Sequence, residues 1–85
     1  MLILSREDLV GLLEVREVIE ALREVFHAYH EGLTEVPLRI PIQVEPGSDV
    51  LYMPALLNEF RGGKVLGEKV VSVFGRNPER GLPLI

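Results

Sequence analysis

The chain has 85 residues, 47% of them apolar and 26% charged, with a net charge of -4 and no cysteine. That length allows at most one small domain with a thin core, and the composition is that of an ordinary globular chain. The missing cysteines exclude disulfide staples, thiolate zinc sites and cysteine nucleophiles. The acidic balance argues against nucleic acid as a partner, and no apolar run approaches the roughly 20 residues that cross a bilayer.

The start, "MLILSRED", lacks a basic n-region and a long apolar h-region, so it does not read as a signal peptide, and a cytoplasmic location is the expectation. "LIL" (2–4) reads as a short strand. Ser5 with Asp8 three residues later has the S-x-x-D form of a helix N-terminus, so a first helix starts near Arg6. Its stripe of Leu9, Leu12 and Leu13 does not continue at Arg16 and Glu20 but restarts at Val15, which implies a break near Glu14. From there Val15, Val18, Ile19, Leu22, Val25, Phe26 and Tyr29 keep helical spacing, predicting a helix over 15–31 that Gly32 ends. His27 and His30 stand three apart on its polar face with glutamates nearby. Zinc asks for three or four ligands and there is no further histidine, so a solvated face is the better reading.

After Gly32 the period becomes 2. Leu38, Ile40, Ile42 and Val44 alternate with Arg39, Pro41, Gln43 and Glu45. "PGSD" (46–49) is a turn, "VLYMPALL" (50–57) a returning strand interrupted by Pro54, "NEFRGGK" (58–64) a second glycine turn, and 65–74 a third long strand. A strand, a helix pair and an antiparallel meander make the fold class α+β. The tail "GRNPERGLPLI" is loop-like through Gly81 and then apolar, which suggests a chain cut within an element. None of the eight glycines falls in G-x-G-x-x-G, and "RGGKV" lacks the P-loop spacing, so no nucleotide phosphate site is present.

Two cations break the alternation. In "LGEKVVSVF" (66–74), Lys69 shares a strand face with Val65, Gly67, Val71 and Val73, while Glu68 points to the other face. A desolvated ammonium costs several kcal/mol unless paired, and such lysines can be catalytic or carbonyl-polarising; a lysine guarding an edge strand is the plainer alternative. Arg39, between Pro37 and Pro41 in "VPLRIPI", can clamp a carboxylate through two parallel hydrogen bonds or simply stand exposed. If the strands pair as read, both cations come from neighbouring strands. Met53 in "YMPA" is more often core than ligand contact.

In this order, "MLILSREDLVGLL", "REVIEALREVFHAYHEG", "VPLRI", "LYMPALL", "LGEKVVSVF" and "NPERGLP" resemble the N-terminus of the ornithine cyclodeaminase/mu-crystallin family over essentially all 85 residues. The resemblance implies a partial domain of a two-domain enzyme. Residues 1–85 would be the N-terminal part of its substrate-binding and dimer-forming α+β domain, and the Rossmann half that holds NAD or NADP would be absent. Matched position by position, Arg39 would hold the substrate carboxylate, Lys69 would be the catalytic lysine near the reacting carbon or imine, and Met53 would line the pocket. The implied substrate is a small amino or imino acid, with ornithine cyclodeamination, alanine dehydrogenation and ketimine reduction all open, and the implied assembly is a homodimer. No cofactor or metal ligand is expected within this chain, and a non-catalytic binding or dimerisation module is the alternative. Two positions depart from the family pattern: Leu84 stands where "GLPT" has threonine, and "FGRNP" replaces "FPGNP".

Overall fold

A computed structural model describes residues 1–85. Residues 1–5 carry no regular structure, so the strand expected over 2–4 does not form. A three-residue strand is held by its ladder alone, and no strand of this chain lies beside it. The helix signal at Ser5 is met in full. The Asp8 amide donates to Ser5 Oγ at 3.2 Å and the Ser5 amide donates to Asp8 Oδ2 at 2.8 Å, closing a capping box on α1 (Arg6–Leu12). The backbone and hydroxyl bonds from Ser5 hold the Asp8 carboxyl below the usual carboxylate range.

The phase slip becomes two extended residues, Leu13 and Glu14, after which α2 (Val15–His30) begins. It stops at Gly32, whose φ of +75° turns the chain so that the Leu33 amide donates to the Ala28 carbonyl at 2.9 Å. The stripe that α2 buries is displaced from the expected one. Val18, Ala21 and Val25 are half-buried and Ala28 is buried, whereas Val15, Ile19, Leu22, Phe26 and Tyr29 are exposed. Alanines at 21 and 28 let the helix backbone approach the sheet, and the bulkier residues fall to one side of the contact.

Four strands form one antiparallel sheet: β1 (Thr34–Glu35), β2 (Ile40–Glu45), β3 (Ser48–Phe60) and β4 (Gly63–Phe74). The element order is thus α+β, with two α-helices before the meander. β3 is the central strand, paired with β4 along one side and with β2 and then β1, end to end, along the other. β1, at two residues, is too short to show a period, so no pattern announces it.

Pro54 does not interrupt β3, contrary to expectation. Between the pairs Glu35↔Leu56 and Ile40↔Tyr52, the ladder is open opposite Met53–Ala55, so the N–H that proline lacks has no partner to disappoint there. On the other side Pro54 stays in register with Glu68. The second turn is also tighter than expected. β3 runs to Phe60 and β4 starts at Gly63, leaving Arg61 and Gly62 at φ of +49° and +85° as a two-residue hairpin turn.

α2 lies over the sheet face that carries Ala55, Leu57, Val65 and Gly67. A bidentate ion pair fixes it there. Arg61 donates from Nη2 to Glu24 Oε1 at 2.8 Å and from Nε to Oε2 at 3.1 Å, with its guanidinium 5.0 Å from the centre of the Phe60 ring. The hydrogen bonds from Arg61 hold the Glu24 carboxyl low and those to Glu24 hold the guanidinium charged.

The tail is a folded loop around a short 3-10 turn (Pro78–Arg80). Asn77 Nδ2 donates to the Pro83 carbonyl at 2.9 Å, the Leu82 amide donates to the Asn77 carbonyl at 3.0 Å, and the Phe74 amide donates to the Leu84 carbonyl at 2.9 Å. Only Ala28, Leu57 and Ser48 are buried in the whole molecule. Neither helix is long and apolar enough to cross a membrane.

Candidate functional site

The register of the sheet decides which of the sequence-predicted residues meet. β3 and β4 pair Met53 with Lys69 directly. β2 and β3 pair Ile40 with Tyr52, and Arg39 stands one residue before that pair, outside the ladder, at the level of Met53. Met53 and Lys69 share a face as antiparallel partners, and with Arg39 just before β2 on the other side of β3 the three make a row across the sheet, with the methionine in the middle. The two cations do not come from neighbouring strands, as the sequence suggested. β3 stands between them, which sets their backbones about 10 Å apart at two inter-strand spacings.

The Met53–Lys69 pair lies on the face that α2 covers further along, since Lys69 follows Gly67 at the two-residue period of β4. Met53 is half-buried, and Arg39 and Lys69 are exposed. Neither cation has a carboxylate within ion-pairing distance. The four ion pairs of the chain, Arg23–Glu20, His27–Glu31, Arg61–Glu24 and Arg76–Glu79, use other residues. Two unpaired positive charges flanking an apolar thioether can receive a carboxylate, with the guanidinium offering a planar two-point contact and the ammonium a movable one.

Next to the row is an apolar hollow of about 270 Å³, walled by Val25, Phe26 and Tyr29 of α2 and floored by Ala55, Val65 and Gly67 of the sheet. Ala55 pairs with Gly67 two residues along from the Met53–Lys69 pair. Sequence reading missed this hollow because it depends on which side of α2 meets the sheet. It also missed the Glu24–Arg61 clamp, whose partners lie 37 residues apart with no periodic relation.

The other candidates take simpler places. His27 Nε2 lies 3.3 Å from Glu31 Oε1 on the exposed face of α2, and no group of three histidine or acidic side chains is placed to hold a metal ion. The sheet is wholly antiparallel, with no strand-to-helix crossover and no glycine-rich turn at a helix start. Leu84, in place of the threonine expected there, contributes its carbonyl to the Phe74 amide.

No family model matches the chain. Among characterised proteins it is similar to an alanine dehydrogenase of Archaeoglobus fulgidus, 32% identical over 84 residues that cover 99% of this chain. Among solved structures it is similar to the Δ1-pyrroline-2-carboxylate reductase of Thermococcus litoralis in complex with NADH and L-proline, at 41% identity over 99% of this chain and a TM-score of 0.80. The chain spans about a quarter of the length of both, 24% of the first and 25% of the second.

Proposed function

We propose that these 85 residues are the carboxylate-binding part of a nicotinamide-dependent oxidoreductase acting on a small amino or imino acid, of the ornithine cyclodeaminase/mu-crystallin type. The observation that carries the proposal is the Met53–Lys69 pair with Arg39 just before β2 on the other side of β3, neither cation being in an ion pair. The likeness to an alanine dehydrogenase and to a pyrroline-carboxylate reductase supports the same substrate class. Arg39 would fix the carboxylate, Met53 would press on the substrate's apolar side, and Lys69 would hold a proton at the carbonyl or imine nitrogen as charge shifts there. In this reading the hydride chemistry would belong to a nucleotide-binding part outside these residues. A homodimer is part of the same proposal, supported by the apolar surface that the sheet and α2 leave exposed.

The test uses the protein joined to its nucleotide-binding part. Lys69→Ala lowers kcat/KM on the order of 10²- to 10³-fold, as loss of a donor at a developing charge does, with circular dichroism unchanged. Arg39→Lys keeps the charge, loses the two-point contact and acts mainly on KM. Near-normal turnover in Lys69→Ala would leave Lys69 as an edge-strand charge and favour the non-catalytic binding module.

A further inference from the structure

Gly67 lies in the middle of β4, where glycine weakens a strand for want of a side chain to pack. Neither of the usual reasons for a strand glycine applies. Its φ is not positive, and a Cβ built on it meets no atom within 4 Å. The space above it is open, and its strand partner Ala55 is the next smallest choice. Together they form the floor of the hollow between the sheet and α2. One end of that floor is Lys69, two residues away, or about 7 Å along the strand.

The lining has a definite chemistry. Val25, Phe26, Val36, Ala55 and Val65 are apolar, and the Tyr29 and Thr34 hydroxyls are its polar groups. No carboxylate borders the hollow, so a ligand ammonium placed there would lose its water without gaining a counter-charge. Positive charge at the row and apolar walls beyond it match a ligand with a carboxylate at one end and a compact apolar chain or ring at the other.

We infer that this hollow receives the side chain of a small carboxylate ligand, that Gly67 and Ala55 set how large that side chain can be, and that the site selects against side chains ending in an ammonium. The inference rests on the carboxylate-binding role proposed above for Arg39 and Lys69.

Amide and side-chain NMR titration of the protein joined to its nucleotide-binding part, with acetate, L-proline and L-ornithine, tests both levels. Acetate shifts resonances of Arg39 and Lys69. L-proline shifts Ala55 and Gly67 as well and binds on the order of 10-fold more tightly than acetate and than L-ornithine, the discrimination that a few methylenes in an apolar pocket supply. In Gly67→Val the ratio of proline to acetate affinity falls toward one. The bulkier residue favours the strand, so native amide dispersion is expected; Ala55→Val narrows the same floor from β3 and gives the same result if Gly67→Val does not fold. If proline and acetate bind alike, or the ratio survives both substitutions, the inference is overturned while the carboxylate role stands. If ornithine binds as tightly as proline, the selection against ammonium is overturned. If no ligand perturbs Arg39 or Lys69, the carboxylate role itself fails, and the inference with it.

Discussion

Gly75 is the residue whose identity the backbone dictates most tightly. Its amide donates to the Gly47 carbonyl at 3.0 Å, and a Cβ placed on it would stand 2.7 Å from that same oxygen. Because the obstructing atom is backbone, the clash cannot be relieved by a rotamer change. Gly75→Ala should therefore destabilise the chain by about 1–3 kcal/mol, the usual cost of forcing atoms into a closed space, as read by urea unfolding. An unchanged midpoint would mean that the β2–β3 turn gives way freely. This position was half legible in the sequence, where "FGRNP" stood out only as a departure from a family pattern. The cations are a similar case. Alternation exposed Lys69 as an anomaly and the proline-flanked context marked Arg39, but their common row depends on one extra residue in the open stretch between β1 and β2, which no periodicity announces.

Among the elements, helices were the most legible because each signal was local. The capping box, the break at Glu14 and the stop at Gly32 all lie within one turn of the boundary they set. The face that α2 buries was not legible, since its apolar arc is wide and the choice within it is made by the sheet. The Glu24–Arg61 clamp enforces that choice, and its pH dependence follows from the direction of the shift. Glu24 titrates lower when folded, so its stabilisation is complete above the ordinary carboxylate value of 4.5 and is lost as pH falls through the depressed one. Arg61 is held charged by the same contact and stays so across that range. Glu24→Gln should lower the melting temperature near pH ~7, and by less at a pH low enough to protonate the folded carboxyl as well as the unfolded one. Comparing variant with parent removes the parallel contribution of Asp8, which also titrates low. An equal difference at both pH values would show that the clamp acts through packing of the guanidinium on Phe60 rather than through charge.

As a whole the molecule is more open than its size warrants. The Cα radius of gyration is 16.5 Å, against about 12 Å for a compact 85-residue domain. Its accessible surface is 7424 Å², against roughly 5,000 Å² for a folded 9.5 kDa monomer. That excess is the scale of a substantial interface on one partner. Leu66, Val70, Ile40 and Ile42 are exposed on the sheet face opposite α2, where no layer covers them. The chain should therefore sediment as more than a monomer as its concentration rises, and Leu66→Glu should shift it toward monomer without lowering its melting temperature. A monodisperse monomer at high concentration would contradict this. Composition and the α+β order were readable at this scale, whereas the uncovered faces were not, because an apolar residue in a strand looks the same whether or not anything will cover it.

β4 also forms one margin of the sheet, with no strand on its outer side over most of its length. The strand that carries Lys69 is thus free to pair along its outer side with a neighbour's strand. A ribbon joined on one side twists more than the same strand held on two. Whatever strand came to lie along that margin would flatten β4 and change the angle at which Lys69 faces Arg39 across β3. Assembly and ligand recognition would then share a single mechanical coordinate, the coil of one strand.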